Sequence, residues 1–213
     1  MKMDIIIKNG NIIDGSGSKP YKSDIAIRND KIFDINHYNE TDIEAEFIID
    51  ANNLYVCPGF IDVHSHADVA LLNDGQHASG IMQGITTEII APDGLTLAPL
   101  SKNNYELYKW YLSGILGTPK NEYDMSSLKK ARLNYDNKTA CNVAMFAGHG
   151  PIRLETLGMK DIPLVGKQLD NAKSLLSECF EEGAVGFSTG LSYYPNSYSD
   201  SNEICELMKI AKK

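Results

Sequence analysis

Residues 58–68 read "PGFIDVHSHAD", and the fold turns on how this stretch is understood. The run GFIDVH is short, apolar and rich in strand-forming residues. Two histidines follow, separated by one serine. On a strand, residues i and i+2 project from the same face, so His64 and His66 are placed to reach one metal ion from a single strand end. Asp62 shares their parity and is a candidate to orient a ligand histidine. The carboxyl ends of parallel strands are also where α/β active sites are built. The plainer alternative is two histidines in a turn.

Downstream, three more segments read as strands: "GITTEIIA" (84–91), "TACNVAMFAGHG" (139–150) and "GAVGFSTG" (183–190). Helical patterns separate them. Residues 103–116 carry apolar side chains at 107, 108, 111, 112 and 115, a 3.6-residue stripe. A short helix is expected over 125–133. A longer one is expected over 165–182, with Leu169, Ala172, Leu175, Leu176 and Cys179 on one face. Asp200, followed three residues later by Glu203, resembles a capping box. It starts a last helix at 201 that is expected to run to Lys213. Strand–helix alternation of this kind predicts βα units around a parallel sheet.

Upstream, the texture is all-β. "DIIIKNGNIID", "DIAIRNDKIFDI" and "EFIIDANNLYV" are β-branched runs. "NGN" (9–11), "GSGSKP" (15–20) and "NDK" (29–31) punctuate them as hairpin turns. The chain is thus expected to divide into a β segment, 1–57, and a βα segment, 58–213. A closed (β/α)8 barrel takes roughly 250 residues. Four βα units therefore amount to half a barrel or to a small doubly wound sheet, and the residue pattern leaves both open.

Composition narrows the function classes. The 213 residues include 20 Lys and Arg against 28 Asp and Glu, a net charge of −8. An acidic chain gains little from phosphate contacts, so nucleic acid is not the expected partner. The N-terminal run of three isoleucines is too short for a signal-peptide core or a membrane span, so no membrane association is expected. The four cysteines form no CxxC pair and read as reduced, buried core thiols, which points to a cytoplasmic protein.

Four motifs together carry a resemblance. "PGFIDVHSHAD" resembles the first-strand signature of the amidohydrolase superfamily. "MQGITTEIIAPDGLTLAP" (82–99), "NVAMFAGHGPIR" (142–153) and "GAVGFSTGLSYYPNSY" (183–198) resemble the N-acyl-D-amino-acid deacylase (D-aminoacylase) family, in family order and along essentially the whole chain. The resemblance implies an α/β fold: the N-terminal half of a metal-dependent (β/α)8 TIM barrel, preceded by a small β-sandwich segment. It implies one or two zinc ions in the complete enzyme and hydrolysis of the amide bond of a small-molecule N-acyl-D-amino acid. His64 and His66 map onto the metal-binding HxH. Where well-known members carry a metal-binding Cys in a "GNCG"-type motif, this chain has "APDG". Asp93 stands there, either as a carboxylate ligand or as a turn residue in "PDG".

The same resemblance makes Tyr193, His149 and Arg153 substrate-binding candidates. Each has a structural alternative. Tyr193 reads equally as packed wall. His149 reads also as a loop-holding residue, and Arg153 as half of an ion pair with Glu155 or Asp161. His37 and His77 receive no role. The aspartate general base and further metal histidines of the family are expected beyond residue 213. The chain is accordingly expected to be an incomplete part of a deacylase lacking its C-terminal half. Two other readings stand: a cyclic amidohydrolase of the hydantoinase or dihydroorotase kind, disfavoured by the lack of a suitable lysine at the strand ends, and a non-catalytic remnant or assembly partner.

Overall fold

The structure, a computed structural model, describes residues 2–39 and 44–211. Lys213, the expected end of the last helix, lies outside the described residues. The chain forms two compact units, Met1–Gly59 and Phe60–Lys213.

The first unit is a sheet built on β1 (Lys2–Ile12), which pairs with β2 (Tyr21–Arg28), β4 (Glu44–Asp50) and β5 (Tyr55–Val56), while β3 (Lys31–Asn36) adds to β2. Met3, Ile6 and Ala26 form its small core. "NDK" does close the β2–β3 hairpin, with Asn29 and Asp30 both at positive φ, as a two-residue primed turn requires. "NGN" is not a turn. It lies inside β1, where the register to β2 shifts between Ile7 and Gly10. Asn9 takes φ 62° there, and the buried Asp24 carboxylate accepts its amide at 2.7 Å. The strand order also departs from simple hairpins, because β4 and β5 run parallel to β1.

The second unit is mixed α/β. Strand β6 (Phe60–Asp62) leads to α1 (Asp68–Asn73) and α2 (Ala78–Ile81). Next, β7 (Ile85–Ile90) leads to α3 (Lys102–Leu116) and α4 (Leu128–Leu133). A third strand, broken into β8 (Asn142–Met145) and β9 (Ala147–Gly148), leads to α5 (His149–Thr156) and α6 (Lys167–Glu181). Last, β10 (Phe187–Ser188) leads to α7 (Ser201–Ala211). All the pairings are parallel: β6 with β7, β7 with β8, and β9 with β10. The broken strand thus joins its predecessor through one half and its successor through the other. Among the described residues the strands form no closed barrel.

Helix patterning follows the periodicity, with one rotation. In α6, Leu169, Ala172, Leu176 and Cys179 are buried as expected. In α3 the buried face is Tyr108, Leu112 and Leu116, whereas Leu107 and Ile115 are over 40% exposed. The expected stripe was too wide for the single groove this helix fills. The cysteines split likewise: Cys141 and Cys179 are buried, but Cys57 and Cys205 are exposed. Cys205 sits off the inward face of α7, which is set by Glu203 and Leu207. No helix of the described residues is long and apolar enough to cross a membrane.

Candidate metal centre

The histidine pair is held by a turn rather than by a strand. β6 stops at Asp62, two residues before His64. The Asp62 carboxylate accepts the His64 backbone amide at 3.0 Å, which bends the chain out of the sheet. Asp62 therefore shapes the backbone under His64 rather than orienting an imidazole. The two rings meet edge to face, with centroids 5.6 Å apart.

Asp93 approaches from the end of the next strand. It sits in a tight turn, Pro92–Gly94, directly after β7. Its Oδ2 lies 3.3 Å from His64 Nε2 and 3.5 Å from His66 Nε2. One donor atom from each residue falls within 4.8 Å of the others. Two imidazoles and a carboxylate converging in this way form a donor set that can hold a divalent transition-metal ion. The His66 Nδ1 atom is buried without a hydrogen-bond partner. His64 is the open side of the cluster: its side chain is 62% exposed, against 26% for His66 and 28% for Asp93. The turn and ligand readings of Asp93 are thus compatible, since the turn is what aims its carboxylate.

Asp68, two residues past His66, is fully buried at the start of α1 and links the two loops. Its Oδ2 accepts the Ala91 amide at 3.3 Å. Burial pushes its pKa up to about 7.

His149 and Arg153 lie elsewhere in the network. Both are wholly buried, and both bond to Glu203, which is buried with them. Glu203 Oε1 faces His149 Nε2 at 2.8 Å, and its two oxygens accept from Arg153 Nη1 at 2.6 and 2.5 Å. Its Oε2 also accepts the Leu164 amide at 2.7 Å. On the other edge of the ring, His149 Nδ1 meets Thr189 Oγ1 at 2.8 Å. The partner of Arg153 is therefore neither Glu155 nor Asp161. With these atoms engaged in the interior, burial favours the supporting role over substrate contact for both residues. Burial pushes the His149 pKa down, partly countered by Glu203. Burial alone would raise Glu203, yet His149 and Arg153 hold it below the ordinary range. A neutral His149 donating Nε2–H to Glu203 and accepting the Thr189 hydroxyl satisfies both contacts. Tyr193 is half-buried and packs against the main core.

Glu203 was hidden in the sequence by its capping position. Asp200 does cap α7, accepting the Glu203 amide at 2.8 Å, but the Glu203 side chain turns inward. The readable signal was its spacing from Leu207, one turn on along the buried face. His77, which has no role legible in the sequence, is also partnered. Its Nε2 lies 2.6 Å from the carboxylate of Glu88, which is 1% exposed in β7.

Comparisons with known proteins agree with this architecture. The amidohydrolase family model matches residues 48–119. The chain is 28% identical to a D-aminoacylase of Alcaligenes xylosoxydans xylosoxydans, over 97% of this chain and 41% of that protein. It is 30% identical to an N-acyl-D-glutamate deacylase of the same organism, over 99% of this chain and 42% of that protein. The crystal structure of N-acyl-D-glutamate deacylase from Bordetella bronchiseptica, complexed with zinc and a phosphonate mimic of the tetrahedral intermediate, matches with a TM-score of 0.85. That match has 27% identity and covers 100% of this chain and 43% of that one. The chain thus spans about two-fifths of the length of the relatives it matches. By sequence and by fold, the chain matches the amidohydrolase family model over residues 48–119 and is similar along its length to a D-aminoacylase and to N-acyl-D-glutamate deacylases.

Proposed function

We propose that this chain carries the metal-binding part of a zinc-dependent hydrolase that cleaves the amide bond of N-acyl-D-amino acids. The observation that carries the reading is the convergence of His64, His66 and Asp93 from two successive strand ends, in a chain similar along its length to deacylases of that class. When bound, zinc supplies a Lewis acid that polarises a carbonyl and acidifies water. This chain's residues hold and expose the site. His66 and Asp93 form its inner side, and His64 borders solvent, where an extended acylated substrate can approach. Tyr193 is the residue we assign to the substrate side, and His149 and Arg153 support the framework behind it.

The parallel succession β6, β7, β8–β9 and β10 favours four consecutive units of a (β/α)8 barrel, with residues 58–213 as that part. Residues 1–57 are read as part of a β-sandwich. The relatives extend over more than twice the matched length. A general base and further ligands are accordingly assigned to the portion this chain does not span, so the 213-residue chain alone is expected to bind zinc without turnover. All four cysteines are free, which suits a reducing, cytoplasmic setting.

The test pairs metal content with activity. Mass spectrometry of the zinc-loaded chain should find metal in the native protein and lose it in His66→Ala and Asp93→Asn. Equal zinc content in all three would refute the ligand assignment. Release of a free D-amino acid from an N-acetyl-D-amino acid by the chain alone would refute its incompleteness.

A further inference from the structure

The turn carrying Asp93 begins at Ala91 with a backbone conformation that alanine does not favour. Ala91 takes φ 67°, in the left-handed region that disfavours a residue with a Cβ, and Asp93 takes φ 56°, which aspartate tolerates better than most residues. Such a conformation persists where the surroundings enforce it. Here the enforcement comes from the fourth βα unit. The Ser188 hydroxyl donates to the Ala91 carbonyl at 2.6 Å and accepts the Gly94 amide at 3.0 Å, so it brackets Asp93 on both sides. Asn196, with no exposed surface, donates Nδ2 to the Asp93 carbonyl at 3.0 Å and to the Gly190 carbonyl at 3.3 Å. Gly190 itself must be bare, because a Cβ there would lie 2.8 Å from Asp93 Cβ.

We propose that Ser188 and Asn196 are positioning residues for the metal site: they fix the Ala91–Gly94 turn so that the Asp93 carboxylate faces both imidazoles. This rests on the metal reading above. The physical reason is directional. The Cα–Cβ vector of Asp93 is set by the backbone, and a turn relaxing toward ordinary φ would carry Oδ2 away from His64 and His66. Neither residue touches the ion. Both act on the main chain of the ligand.

The test uses Ser188→Ala, Ser188→Thr and Asn196→Ala in the 213-residue chain. Zinc affinity is measured by competition with a chromophoric chelator, cobalt(II) supplies a visible spectrum of the ligand field, and melting in EDTA reports the metal-free fold. Ser188→Ala is expected to weaken zinc binding by about 10–100-fold and to shift the cobalt bands, with little change in metal-free melting. Ser188→Thr, which keeps the hydroxyl, should restore both. Native affinity and spectrum in Ser188→Ala would overturn the inference while leaving the metal reading intact. Absence of zinc binding by the native chain would overturn both. If Ser188→Ala unfolds without metal, Asn196→Ala is read by the same measurements. Unfolding of both variants would assign the two residues to the fold rather than to Asp93, and would also overturn it.

Discussion

His149 and Glu203 share a 2.8 Å contact in the interior, and neither side chain is exposed at all. The same carboxylate takes Arg153 and the Leu164 amide, so one residue of α7 ties down α5 and the loop before α6. Removing one member of such a cluster strands the others without water. Glu203→Ala is expected to cost about 3–5 kcal/mol, measured by urea unfolding. A loss under about 1 kcal/mol would mean that the cluster is solvated in solution.

The cluster also sets a pH dependence. His149 has its pKa depressed in the folded state by burial, so below about 6.5 the unfolded chain binds a proton the folded chain refuses. Its contribution is present above that value and is lost as pH falls. Glu203, also depressed, adds a second loss as pH falls below about 4.5. Asp68, raised to about 7 by burial, has the opposite slope, so a variant comparison is needed. The stability advantage of the native chain over His149→Gln should shrink between pH 7 and 5, followed by urea titrations at each pH. A constant advantage would contradict the assignment.

His77 is the polar partner of a carboxylate that β7 buries. His77→Ala should cost about 1–3 kcal/mol, because Glu88 loses its contact while staying inside. The double variant His77→Ala with Glu88→Leu should recover much of that loss. A double-mutant cycle with zero coupling energy would show that the pair contributes nothing.

At Asp93 two substitutions separate shape from charge. Asparagine tolerates the left-handed region, so Asp93→Asn should melt near the native temperature without metal and bind zinc far more weakly. Asp93→Val should lose zinc and also about 1–2 kcal/mol of metal-free stability. Equal metal-free stability in the two variants would show that the turn is not strained.

The rotated face of α3 gives a packing test. Leu112 is 1% exposed and Leu107 is 43% exposed. Leu112→Ala should cost about 2–5 kcal/mol, and Leu107→Ala no more than about 0.5 kcal/mol. Thermal melts of the two variants distinguish this face from the broader one that periodicity suggests.

Local patterns were the legible part of this sequence. The extent of α3, the start of α7 at its Asp200 cap and the β2–β3 turn all follow from neighbouring residues. Long-range decisions were not legible. "NGN" has turn composition, yet Asn9 serves a bulge because Asp24 on the adjacent strand captures its amide. The i, i+2 spacing of His64 and His66 is legible, but the turn under His64 is closed by the Asp62 carboxylate rather than by strand pairing. Glu203 fits a capping box so well that its true partners, far back in the chain, left no trace nearby. Ser188 and Asn196 are ordinary polar residues until the structure places them beside Asp93.

The loop bearing Asp93 is secured by contacts reaching 94 and 103 positions along the chain. Contacts so distant in sequence close late when a polypeptide collapses. A cation present during refolding would therefore encounter two imidazoles first and a settled carboxylate only after β10 and the Asn196 segment have docked. Metal uptake should lag behind the recovery of helical signal, which makes it a clock for the final assembly step of this chain rather than a seed for the first.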